Sequence, residues 1–230
     1  LEPYKQLYYN ILIYRTPLEI QKYAFRKYKI KTVENKHTHL VPEELEQLER
    51  LSLTDKHMKL QKSLDAFLFC CYAGMRYSDF TNLSKKNIVD INQETWLIYK
   101  SVKTGTEVRL PLYLLFAGKG IVILNKYRNN LEDFFRLRDN SNINKDLIII
   151  AKLAGLSKKI SFHTARHTNA TLLIYNGVNI TTVQKLLGHK SVKTTQVYTN
   201  IMDMTIVHDL EKIKQAALGI KKKTDNSFNK

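Results

Sequence analysis

Apolar residues first fall into a helical rhythm at Leu45, Leu48 and Leu51, just behind Pro42, Glu43 and Glu44. That order suits a helix start. Proline has no N–H to leave unpaired, and carboxylates complement the positive end of the helix dipole. Lys62–Ala73 is apolar nearly all round, which predicts a central buried helix, and Gly74 stands where such a helix is expected to stop. At Asn87 the pattern changes. Ile88-Val89, Trp96–Val102 and Val108–Leu110 are short β-rich runs parted by Asn92-Gln93 and by Lys103-Thr104-Gly105, a pattern that predicts a small three-stranded antiparallel sheet. Beyond about residue 120 helical spacing returns, with Gly155, Gly177 and Gly188 at expected helix ends. The expected fold class is therefore α+β, mainly α.

The two ends differ from this middle. Residues 1–37 are rich in Tyr, Lys and Arg, carry helix-breaking Pro3 and Pro17, and run into the polar segment Lys31–His39, which lacks apolar periodicity and is expected to be a linker. Residues 38–220 are expected to form the main domain. Within it, residues 203–219 align Ile206, Leu210, Ile213 and Ala217 on one stripe, with Asp209, Glu211 and Lys212 elsewhere, which predicts an amphipathic helix. Residues 221–230 are expected to be a disordered basic tail.

Charge sharpens the picture. Thirty-seven Lys and Arg against twenty-one Asp and Glu give a net charge of +16, an excess that favours a polyanionic partner, since each neutralised phosphate releases condensed counterions. No apolar run approaches the length that crosses a bilayer, so no membrane partner is expected. The only cysteines, Cys70 and Cys71, are adjacent within the apolar helix, a spacing poorly suited to a disulfide; they read as buried core in a reducing compartment. The chain starts at Leu1 rather than Met and opens on polar residues, so it is expected to be a piece of a longer protein.

Three separated segments carry candidate chemistry: Ala73-Gly-Met-Arg-Tyr-Ser-Asp79, His163-Thr-Ala-Arg166, and Leu187-Gly-His-Lys190 followed by Tyr198. Singly, each is also explained without chemistry. Arg76 suits a surface position after a helix-ending glycine, Ser78 an N-cap and Asp79 a first-turn carboxylate. His163 and Arg166 suit an exposed helix face, His189 the carbonyls of a helix end, and Tyr198 simple packing.

Together, in order and spacing, they resemble the tyrosine recombinases, or phage integrases. That family has an Arg in a Gly-x-Arg segment after a buried helix, a His-x-x-Arg opening a later helix, a Leu-Gly-His, and a Tyr nine residues beyond that His. Ser78-Asp79, His167-Thr168 and Thr194-Thr-Gln-Val-Tyr198-Thr fit the surroundings. The resemblance covers roughly residues 38–218 and implies the helical catalytic domain of these enzymes, preceded here by a remnant of a core-binding domain within residues 1–37. It implies site-specific strand exchange on double-stranded DNA, as in integration or excision of a bacterial mobile element, through a 3′-phosphotyrosyl intermediate at Tyr198.

The chemistry accounts for these residue types. Arg76 and Arg166 offer planar paired donors to the non-bridging oxygens on which charge builds, and remain charged at any working pH. His163 and His189 add hydrogen bonds and can move protons. Tyr198 supplies the nucleophile, whose proton a cationic site helps to remove. By resemblance the acid for the leaving 5′ oxygen is a Lys in the sheet hairpin, which makes it Lys103, with Lys100 and Lys119 as weaker rivals. Asp79 matches a supporting acidic position that orients an Arg, and His167 reads as structural. No cofactor is expected and no metal, because there is neither a phosphate-cradling Gly-rich loop nor a carboxylate cluster for two-metal cleavage. The resemblance further implies a homotetramer on paired DNA sites, linked by the C-terminal helix, from a monomer when free, acting on the bacterial nucleoid in the cytoplasm. Two other readings remain open: a type IB topoisomerase-like enzyme, against which Leu-Gly-His and Thr-Thr-Gln-Val-Tyr speak, and a non-catalytic DNA-binding module.

Overall fold

Pro42 opens helix α1 (Pro42–Glu49) of the computed structural model, which describes residues 38–198 together with Lys214. The chain divides into two units, Leu1–Lys36 and His37–Lys230, and only the second holds described residues. The remnant domain, the tail and the stripe over residues 203–219 fall outside them. Glu44 caps α1 by accepting the Val41 N–H at 2.9 Å, and Leu45 and Leu48 face the core.

Helix α2 (Gln61–Ala73) is buried from Ser63 to its end and stops at Gly74, whose φ of 66° is left-handed. A Cβ at Gly74 would lie 2.6 Å from Asn169 Oδ1, so glycine is required there by space as well as by backbone conformation. A two-residue link leads to α3 (Tyr77–Thr81), with Arg76 at its N-cap position and no side-chain cap; Ser78 lies inside the helix and caps nothing.

The sheet is antiparallel in the order β1 (Ile88–Ile91), β2 (Glu94–Lys100) and β3 (Glu107–Pro111). Asn92 and Gln93 both take positive φ between Ile91 and its partner Glu94, as a tight two-residue hairpin demands. Strand β2 ends two residues earlier than its β-rich run. The chain turns at Ser101, whose N–H reaches Thr106 O and whose carbonyl takes the Gly105 N–H, and this leaves Val102 exposed on the turn.

Helices α4 (Lys119–Lys126), α5 (Leu131–Phe135), α6 (Asn140–Leu153), α7 (Phe162–Tyr175), α8 (Ile180–Leu187) and α9 (Lys193–Gln196) follow. α7 packs along α2 as the second central helix and is buried from Thr164 through Leu173. Phe80 sits among Phe69, Phe134, Phe135 and Phe162, with ring centroids 5.3 to 6.2 Å away, within the range of favourable edge contacts. The fold is mainly helical with one small sheet, as the hydrophobic pattern predicts. Among the described residues no helix is long and apolar enough to cross a membrane.

Candidate active site

The first turn of α7 is closed by Thr164 Oγ1, which accepts the Ser161 N–H at 3.0 Å. One face of that turn presents His163 to solvent. Arg166, a turn further in, is only 1% exposed. It is no surface residue. Its Nη1 donates to Gly74 O at 2.7 Å and its Nη2 to Leu187 O at 2.6 Å. Both carbonyls belong to helix C-termini, where the last oxygens lack intrahelical partners and the dipole is negative. Asn169 completes the job on α2, donating to Cys71 O and Tyr72 O at 2.9 Å each. Burial first, and then the nearby Arg76, lower the Arg166 guanidinium to about 10, which leaves it cationic at neutral pH.

Arg76 is half-buried and donates from Nη1 to Ser101 Oγ at 3.2 Å and, more weakly, to Asp79 Oδ2 at 3.4 Å. Asp79 makes its shortest bond elsewhere, accepting the Val102 N–H at 2.8 Å while also taking the Ser101 hydroxyl. The buried carboxylate therefore ties the start of α3 to the turn between β2 and β3. Lys103 projects exposed from that turn. Beside it, Thr104 Oγ1 donates to Gly188 O at 3.1 Å, which holds the turn against the Leu-Gly-His segment.

Gly188 ends α8 with φ 63°, and a Cβ there would lie 2.6 Å from Val108 Cγ2 of β3. The glycine thus lets the sheet approach the helix end. His189 follows, with its Nδ1 2.9 Å from Thr195 Oγ1 and its carbonyl accepting Gln184 Nε2. Burial, Arg166, Arg76 and Lys103 together push the imidazole down to about 4, so it is neutral at pH 7. Tyr198, after α9, is 5% exposed. Its ring lies 5.5 Å from that of His167, which in turn lies 4.4 Å from His163. Burial raises the Tyr198 phenol more than Arg166 and Arg76 lower it.

These neighbourhoods gather Arg76, Asp79, Lys103, Arg166, His189 and Tyr198, with His163 joined to Tyr198 through His167. The rival Lys119 lies elsewhere, paired with Glu49 at 2.6 Å and over the Tyr72 ring. Lys100 ends β2 and is exposed. Tyr175 closes α7, about 14 Å along the axis from Arg166 at the rise of a helix. The sequence reading missed Ser101, Thr104 and Asn169, and also Tyr99, a buried phenol whose hydroxyl has no hydrogen-bond partner among the described residues. Asp79 and the two arginines all act on the Tyr99 phenol electrostatically. Chemically, the arrangement offers two guanidiniums that act on one phenol, with a neutral imidazole and an exposed lysine close by, a set suited to holding an oxyanion beside a phenolic nucleophile.

The model of the phage integrase family matches residues 39–204. Tyrosine recombinase XerD of Bifidobacterium longum is 50% identical over 171 residues, which cover 67% of this chain and 54% of that protein. The crystal structure of XerA recombinase is similar with a TM-score of 0.61 at 24% identity, over 90% of this chain and 72% of that one. A lambda integrase tetramer bound to a Holliday junction is similar with a TM-score of 0.58 at 19% identity, over 77% of this chain and 51% of that one. At such identities the two structures speak to the fold alone. The chain spans about half to three-fifths of the length of the curated relatives it matches.

Proposed function

This chain belongs to the phage integrase family, and on that premise we propose that it is the catalytic part of a site-specific DNA recombinase. The observation that carries the reading is the meeting of Arg76 and Arg166 beside Tyr198, three residues from separate segments of the chain. The net charge of +16 supports double-stranded DNA as the partner.

In this reading Tyr198 Oη attacks the scissile phosphorus and the P–O bond to the 5′ oxygen breaks, giving a 3′-phosphotyrosyl adduct. Arg76 and Arg166 donate to the non-bridging oxygens as charge develops on them. Arg166 spends two of its N–H donors on Gly74 and Leu187, and three of the five on a guanidinium remain. His163 and His189 supply further hydrogen bonds. Lys103 gives its proton to the departing 5′ oxygen, and Asp79 fixes the turn that carries Lys103. Rejoining reverses these steps with a new 5′ hydroxyl, and the phosphotyrosine conserves the bond energy.

The assembly we propose is four protomers on paired DNA sites, in the manner of the lambda integrase tetramer, with residues 203–219 linking neighbours and a monomer in the absence of DNA. Residues 1–37 are assigned to the end of a core-binding domain and its linker, and residues 221–230 to a basic tail. The site of action is the bacterial nucleoid.

A nicked suicide substrate tests the reading. The wild-type chain is expected to trap a covalent protein–DNA band that Tyr198→Phe does not form. Trapping by the Phe variant would move the nucleophile elsewhere, with Tyr175 the first to examine.

A further inference from the structure

Thr195 is wholly buried, and its side chain makes one hydrogen bond among the described residues, to His189 Nδ1 at 2.9 Å. Two arrangements of hydrogen are open to that pair. If Nδ1 carries the proton, the threonine oxygen accepts it, and the buried hydroxyl hydrogen has no acceptor among the described residues. If the hydroxyl donates to a bare Nδ1, both groups are satisfied and the ring hydrogen sits on Nε2. Buried donors are seldom left unmade, so the second arrangement is preferred. A doubly protonated ring is disfavoured as well, because Arg166, Arg76 and Lys103 crowd His189 with positive charge.

We infer that Thr195 is a positioning residue that fixes His189 in the tautomer bearing hydrogen on Nε2, so that the ring can only donate, through Nε2, to the phosphate. The inference rests on the recombinase reading for its phosphate, but the tautomer itself follows from the hydrogen bond. It also gives physical content to the spacing of the segment. Thr195 lies in α9, and its carbonyl accepts the Tyr198 N–H at 3.1 Å. One residue thus holds the imidazole by its side chain and the nucleophile's backbone by its main chain. A neutral histidine takes the tautomer that the partner of its other nitrogen dictates, and here that partner travels with the tyrosine.

The full chain labelled with nitrogen-15 in histidine tests this, with the His189 resonances identified by their loss in His189→Gln. Wild type is expected to show a protonated Nε2 and an acceptor Nδ1, Thr195→Ser the same, and Thr195→Val a mixture of tautomers. On the nicked substrate, Thr195→Val is expected to form adduct about three- to tenfold more slowly, the loss of one hydrogen bond, and Thr195→Ser to recover most of the rate. A wild-type His189 protonated on Nδ1 overturns the inference, as does Thr195→Val cleaving at the wild-type rate. Should Thr195→Val lose its melting transition, the wild-type spectrum decides alone. A wild-type chain that traps no DNA would instead sink the recombinase reading, while the spectrum still judged the tautomer.

Discussion

Arg166, ninety-two residues after Gly74, donates to the Gly74 carbonyl at 2.7 Å. The arginine of one candidate motif is thereby held by the glycine of another, and the second hydrogen bond, to Leu187 O, brings in the third. The site is a junction of three helix ends, and Arg166 serves the fold before it serves any substrate.

The two arginines are therefore expected to fail differently. Replacing either by Lys keeps the charge and loses the paired donors, so strand cleavage should fall about 10²-fold or more in each. Arg166→Lys also leaves a helix-end carbonyl without its buried partner, a loss of stability on the order of 2 kcal/mol. Arg76, half-buried at the rim, should melt close to wild type as Lys. Denaturant unfolding and suicide-substrate cleavage measured side by side separate the two. Equal stability losses would contradict the difference in burial.

Lys103 should show the reverse pattern, a chemical defect without a structural one. It is exposed on a turn that Asp79 and Thr104 already hold. Lys103→Ala is expected to unfold within about 0.5 kcal/mol of wild type yet cleave poorly. A substrate with a bridging sulfur at the 5′ position leaves without a proton and should restore its rate. Equal defects on oxygen and sulfur substrates would remove Lys103 from proton transfer.

Much of this was legible in the chain. The buried helix ending at Gly74, the three strands with their two turns, and the three chemical segments all declare themselves by periodicity, by glycine placement or by spacing. What the sequence concealed is the polar matrix between them. Ser101, Thr104, Asn169 and Thr195 act by touching residues 22 to 98 positions away, or, for Thr195, by facing a ring six residues back. A Ser, Thr or Asn has no periodic signature for such a role, and local capping explains it equally well. Arg166 misleads for the same reason, since arginine is seldom fully buried and nothing local announces two waiting carbonyls.

His189 makes stability depend on pH. Its folded pKa of about 4 lies below the ordinary 6.5, so the unfolded chain binds the extra proton first as pH falls. The contribution is whole above about pH 6.5 and is lost between there and pH 4. At about 1.4 kcal/mol per pH unit the loss should be on the order of 3 kcal/mol at most, and His189→Gln, which cannot titrate, should lack that part of the slope. Urea midpoints from pH 7.5 to 4 check it. An unchanged slope in His189→Gln would mean the ring is already solvated enough to protonate freely.

Gly188 offers the sharpest test of how the sheet is joined to the helical body. An alanine there must hold φ 63°, costing about 1–2 kcal/mol for a side chain in the left-handed region. It must also place a Cβ 2.6 Å from Val108 Cγ2, a distance real contacts do not tolerate. Gly188→Ala is accordingly expected to lose about 2–4 kcal/mol in all. The two contributions separate by mutation. Val108→Ala removes the opposing methyls but not the backbone strain, so the double variant should be more stable than the sum of the single losses by about 1 kcal/mol or more. Additive losses would mean that backbone strain alone demands the glycine. Function gives a second readout of the same contact. Pushing β3 off the helix end strains the bond from Thr104 to Gly188 O, and the turn carrying Lys103 moves with it. Cleavage by Gly188→Ala should then fall by more than its fraction unfolded explains, and Val108→Ala in the same chain should recover part of that excess.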